Sequence, residues 1–225
     1  AFRTAIGSLH GSLSSKTAPE VGSAVIKKCV ENSELKKEEI DMVYMGQVLT
    51  AGAGQNPARQ ASILAGLSNE TTNTTVNQVC GSGLASVALA YNSIKSGDGK
   101  LMIAGGQESM SNSPHYINFR KGVKINEGNM KDSMIIDGLW DAYNQYHMGI
   151  TAENVAEKFQ IRREEQDSFA AASQRKAIAA IKEKKFVNEI VSVKIKTEKK
   201  EIEFDRDEYP KEESTVEKLA KLKPA

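Results

Sequence analysis

Two cysteines in 225 residues are too few for a disulfide framework, and a formal net charge of +1 leaves no surplus of either sign to draw the chain onto nucleic acid or a membrane surface. No apolar run approaches the ~20 residues of a membrane span. The chain does not open on a basic stretch followed by an apolar one. No spacing of His, Cys, Asp and Glu matches a metal site. Together these absences lead us to expect a protein of a reducing compartment, cytoplasmic by default, with no metal and no nucleic-acid or membrane partner. Cys29 lies in the amphipathic run Val21, Val25, Ile26, Val30 and reads as packing.

What the sequence does contain is an alternation of periods. Helical spacing over residues 19–32 and 56–65 alternates with strand-like runs at 41–48, 74–79 and 101–105. That order predicts an α/β fold with a mostly parallel sheet and crossover helices. It also places Cys80 and Gly105-Gly106 at the C-terminal edge of the sheet, where sites in such folds form.

The segment Thr74-Thr75-Val76-Asn77-Gln78-Val79-Cys80-Gly81-Ser82-Gly83 sets a cysteine between a β-branched run, read as a short buried strand, and a helix. The helix carries Leu84, Val87, Ala88, Tyr91 and Ile94 and stops at Gly97. Unpaired N–H groups and the positive end of the helix dipole favour a thiolate there and can hold an oxyanion. A buried packing cysteine fits the same local pattern. A phosphate-binding turn does not, because Ser86 stands where the third glycine belongs and no acidic residue closes the strand at 101–104.

Several segments in one order resemble the thiolase family. They are Arg3-Thr4-Ala5-Ile6-Gly7-Ser8, Met45-Gly46-Gln47-Val48-Leu49 with Gly54-Gln55-Asn56-Pro57-Ala58-Arg59-Gln60-Ala61, the cysteine turn, and Ala104-Gly105-Gly106-Gln107-Glu108-Ser109-Met110-Ser111. Asp137-Gly138-Leu139-Trp140-Asp141-Ala142 and Tyr146-His147-Met148-Gly149-Ile150-Thr151-Ala152-Glu153-Asn154 complete the set. The likeness is to the N-terminal half of the short-chain, acetyl-CoA acetyltransferase branch. It implies a layered thiolase fold with the helix after Cys80 buried between two sheets. The N-terminal domain would span residues 1–111, its first strand truncated. A loop domain at 112–225 would bind CoA, cover the site and build a homotetramer through residues 114–131.

The same likeness implies that Cys80 is the nucleophile. Leu139, His147 and Met148 would border the acyl and pantetheine channel, and Lys211 would stand where some relatives have an arginine against the CoA nucleotide. Substrates would be acetyl-CoA, acetoacetyl-CoA and CoA, with no further cofactor. The base histidine, second cysteine and asparagine of the family would lie in a C-terminal half, so the chain reads as a fragment that folds poorly alone. A mitochondrial matrix location would suit a eukaryotic source. A 3-ketoacyl-CoA thiolase of fatty-acid breakdown and a noncatalytic CoA-binding or assembly module are the alternatives.

Smaller features carry structural expectations only. His10 and His115 receive no chemical role, and Met130 and Met134 read as core filler. Thr151 is a candidate N-cap for residues 152–159, ahead of a second helix at 164–184 preceded by Arg162, where many relatives have Ser. Residues 190–195 and 201–204 alternate as a solvated hairpin, and lysines 194–200 read as a solvated face.

Overall fold

The computed structural model describes residues 1–122, 129–196 and 200–224. A short strand β1 (Arg3–Thr4) precedes helix α1 (Ala18–Glu31). The start of α1 is fixed reciprocally: Glu20 Oε2 accepts the Thr17 N–H at 2.8 Å and Thr17 Oγ1 accepts the Glu20 N–H at 3.4 Å. Strand β2 (Met42–Gly46), helix α2 (Pro57–Leu64), strand β3 (Thr72–Val76), helix α3 (Ser82–Ser96) and strand β4 (Met102–Gly106) follow. Proline at the first position of α2 loses no helical hydrogen bond, and the Asn56 side chain caps that helix at the Arg59 N–H. Gly97 ends α3 in the left-handed region at φ 85°, the stop expected of it.

The three strands form one parallel sheet in the order β3-β2-β4, with Met42 level with Thr72 and Met102, and Gly46 level with Val76 and Gly106. Alternation along β2 serves two layers. Val43 and Met45 join Ile26, Val30, Ala58 and Ala61 in the main core, whereas Tyr44 OH lies 2.9 Å from Ser93 Oγ of α3. Each fully buried aliphatic of this size stabilises by about 1.5–3 kcal/mol, so this cluster anchors the edge that carries the site.

One expectation is corrected here. The strand foreseen at 74–79 is displaced to Thr72–Val76 and is an edge strand, with Thr72 and Thr74 exposed. Asn77 Oδ1 accepts the Val79 N–H at 3.0 Å and turns the chain early, which leaves Val79 at φ 49°. Helix α3 has one covering layer in this chain. Ser82, Ser86 and Ala90 are buried, while Leu84 and Tyr91 are 77% and 62% exposed.

Beyond β4 the chain is built of small pieces. Strands β5 (His115–Tyr116) and β6 (Lys131–Asp132) pair antiparallel, a helical turn covers Met134–Leu139, and β7 (Trp140–Asp141) pairs with β8 (Tyr146–His147). Helices α4 (Met148–Lys158) and α5 (Arg163–Lys182) follow, then β9 (Ile190–Val191), β10 (Val193–Lys196), β11 (Glu201–Phe204) and the short α6 (Val216–Leu219). Strand β9 lies parallel beside β1, and the β10–β11 hairpin buries Val193, Ile195 and Phe204, the last two in a cluster with Ala5. The hairpin is therefore packed on one face rather than solvated, and the pairing of β1 with β9 spans the division expected after residue 111.

Three smaller readings also change. His147, not Thr151, caps α4, through Nδ1 accepting the Gly149 N–H at 3.0 Å; Thr151 sits inside the helix with its buried hydroxyl unpartnered. Met130 is 72% exposed and fills no core, whereas Met134 is half-buried. At α5 the missing serine is offset from the other side, since Glu165 Oε2 accepts the Arg162 N–H at 2.8 Å. Residues 123–128 of the expected tetramerisation segment and 197–199 of the lysine run lie outside the described residues.

Candidate active site

Cys80 stands on the turn between β3 and α3, one residue before Gly81, the cap of that helix. The turn is held from within. Ser82 Oγ accepts the Gln78 N–H at 2.8 Å and donates to Val79 O at 2.6 Å, and Gly81 and Ser82 donate their N–H groups back to Gln78 O and Val79 O. These bonds do not use the Cys80 N–H. The whole turn rests against β2: a Cβ on Gly46 would lie 2.6 Å from the Ser82 carbonyl carbon, so only glycine lets the start of α3 come this close.

A cavity of about 390 Å³ opens at this C-terminal edge of the sheet. Its walls are Gly46 to Leu49 at the end of β2, Val79, Cys80, Ser82 and Gly83 of the turn, Gly106 to Glu108 and Met110 at the end of β4, and Gly138 with Leu139. Cys80 is exposed. Mostly apolar, with a thiol and a few polar groups, it has the make-up of a small-molecule site. A larger cavity, about 860 Å³, lies between α4, α5 and residues 222–224 and contains none of the candidate residues.

The structure thus brings Cys80 and Leu139 together in one cavity. His147 and Met148 stand at the start of α4, outside its lining, Met148 being 42% exposed and His147 engaged through Nδ1. Lys211 is exposed beside α5, its N–H donated to Gln174 Oε1 at 2.8 Å. Cys29, on α1, is half-buried, and burial pushes its thiol up, which fits the packing role read from the sequence. Among the described residues no group of three or more His, Cys, Asp and Glu could hold a metal ion, and no helix is long and apolar enough to cross a membrane.

One cavity residue went unassigned in the sequence. Glu108 Oε2 accepts the Val48 N–H at 2.8 Å and Oε1 accepts the Leu49 N–H at 3.3 Å. Burial pushes its carboxyl up, against the pull of the Val48, Leu49 and Ser109 amides. Its neighbour Gln107 is buried and donates to Gln47 Oε1 at 2.9 Å. The available signal was a carboxylate closing a strand of small residues at the sheet's C-terminal edge.

This geometry has close parallels among known proteins. The family described as thiolase, N-terminal domain, matches residues 1–225. The acetyl-CoA acetyltransferase of Pseudomonas aeruginosa is 53% identical over 227 residues, and that of Cupriavidus necator is 52% identical; each match covers 100% of this chain and 58% of the relative. A crystal structure of the Bacillus anthracis acetyl-CoA acetyltransferase superposes with a TM-score of 0.96 at 35% identity, covering 100% of this chain and 57% of that one. The chain spans less than two thirds of the length of these relatives. With the fold, the turn around Cys80 and a full-length family match in agreement, the chain belongs to the thiolase family, as its N-terminal domain.

Proposed function

We propose that the protein is an acetyl-CoA C-acetyltransferase and that Cys80 carries the acetyl group. The observation that supports this most is the Cys80 turn itself, a nucleophile type before a helix N-terminus, facing a small cavity with Leu139 on its wall. The Cys80 thiolate attacks the carbonyl carbon of acetyl-CoA. The backbone N–H of Cys80 is a donor for the resulting oxyanion. The carbonyl–sulfur bond to CoA then breaks, CoA departs as a thiol after gaining a proton, and acetyl-cysteine remains. A second acetyl-CoA loses a methyl proton to a general base that we assign to none of residues 1–225. Its enolate carbon attacks the acetyl-cysteine, releasing the Cys80 thiolate and acetoacetyl-CoA. The reverse sequence cleaves acetoacetyl-CoA with CoA.

Residues 112–225 then serve as the loop domain, with His147 and Met148 along the pantetheine path and Lys211 toward the nucleotide. The assembly is a cytoplasmic homotetramer that takes no metal or redox cofactor. The names of the relatives support the acetyl group over longer acyl chains.

In the full-length protein, Cys80→Ser is expected to lower acetoacetyl-CoA formation by about 10³-fold or more while CoA binding, read by calorimetry, persists. Turnover unchanged by that substitution would overturn the assignment to Cys80, whereas a wild-type protein that binds CoA and forms no acetoacetyl-CoA would leave a CoA-binding module.

A further inference from the structure

Glu108 is the only charged side chain lining the Cys80 cavity among the described residues, and it faces backbone amides rather than a cation. Its two oxygens take the N–H groups of consecutive residues, Val48 and Leu49, which lie just past the end of β2 where the ladder no longer holds the chain. A half-buried carboxylate is costly unless its bonds are good, and bonds from two successive amides define one backbone geometry. The segment it holds is otherwise fixed by Gln47, whose Nε2 donates to Leu49 O at 2.8 Å.

What this geometry controls is one wall of the cavity, the one that Leu49 and Gly138 share. Leu49 is 7% exposed, and a Cβ on Gly138 would stand 3.5 Å from Leu49 Cδ2, so the Leu49 methyl lies directly over Gly138, next to Leu139. Displacing the 48–49 backbone moves that methyl. The cavity would then lengthen or reshape at that wall.

We propose that Glu108 is a positioning residue that sets how long an acyl group the Cys80 cavity admits, by pinning the Val48 and Leu49 amides and through them Leu49 against Gly138. The proposal rests on the acyl-transfer reading of Cys80. Neither the Cys80 thiol nor the departing CoA is touched by Glu108 in this account; its effect is on which acyl chain fits.

The test uses the full-length protein, with Glu108→Ala and the milder Glu108→Gln, which keeps the length and one acceptor. Acylation of Cys80 by acetyl-CoA and by butyryl-CoA is followed by intact mass, alkylation of Cys80 by iodoacetamide is followed in parallel, and amide exchange is read at Val48 and Leu49. We expect the acetyl-over-butyryl preference to fall about 10-fold or more in Glu108→Ala and by less in Glu108→Gln, since a methylene or two in a pocket carries discrimination of that size. Alkylation should stay within about 2-fold, and exchange at the two amides should quicken about 10-fold or more. An unchanged preference, or a fall in alkylation that matches the fall in both acylations, overturns the proposal. If Glu108→Ala does not fold, the same readings on Glu108→Gln decide. A wild-type protein that accepts neither acyl group refutes the acyl-transfer reading instead; amide exchange then still decides whether Glu108 pins the segment.

Discussion

Val79 is a β-branched residue at φ 49°, a conformation that costs of order 1–3 kcal/mol, and it immediately precedes Cys80. Asn77 and Ser82 hold it there, the first through the Val79 N–H and the second through Val79 O. The strain and the bonds opposing it belong to the same short turn, residues 77–82. Ser82→Ala therefore removes the hydroxyl that accepts the Gln78 N–H and donates to Val79 O, and leaves only the backbone N–H of residue 82 on Val79 O. We predict a loss of about 1–2 kcal/mol in stability and a slowing of Cys80 acetylation of about 10- to 100-fold in the full-length protein, because small misplacements of a nucleophile are costly. Denaturant midpoints and a timed intact-mass assay check this. An unchanged acetylation rate in a folded variant would mean that Ser82 does not set the turn. None of this strain was visible in the sequence: a run of Thr and Val reads as strand through Val79, and only the Asn77 side-chain bond ends it sooner.

The element that ties the second half of the chain to the first is the segment after β11. Asp207 receives both terminal nitrogens of Arg3, at 2.8 and 3.1 Å, and the Ile6 N–H at 2.8 Å; Arg3 also bonds Glu189 and lies 5.0 Å above the Phe186 ring. Glu208 gathers the N–H and hydroxyl groups of Ser8 and Ser12. Burial pushes the Asp207 carboxyl up, but its bonds from Arg3 and Ile6 outweigh that and leave it below its ordinary value. The Ser12 hydroxyl, then the Ser8 amide, hold Glu208 low as well. Lowered folded values mean that both groups stabilise fully above the unfolded carboxylate values, near 4, and that this contribution fades as pH falls from there through the lower folded values. Asp207→Asn should cost about 1.5–3 kcal/mol near neutral pH and flatten the acid limb of the stability curve. Urea midpoints from about pH 7 to pH 3 measure both effects, and parallel curves for variant and wild type would contradict the assignment. Neither carboxylate stood out beforehand, since their partners lie some 200 positions away in sequence.

At the scale of the whole molecule, what could be read early was whatever local chemistry dictates. The Asn56-Pro57 start of α2 and the Gly97 stop of α3 appear where the sequence puts them, and strand and helix alternate in the order it implies. Pairings between distant segments could not be read that way: β1 beside β9, Glu108 beneath Val48 and Leu49, and Gly46 against Ser82. The site divides along the same line. Cys80 is announced by its own turn, whereas Leu139 reaches the cavity through a helical turn that no period in the sequence marks. The outward face of α3, with Leu84, Val87, Tyr91 and Ile94 exposed, runs directly from the Cys80 turn. The chemistry we assign belongs to the full-length protein. It is tested most directly by incubating that protein with acetyl-CoA alone, measuring its intact mass and mapping the modified peptide. Our account predicts one acetyl group, on Cys80; a folded protein that binds CoA yet carries no acetyl group there would contradict it.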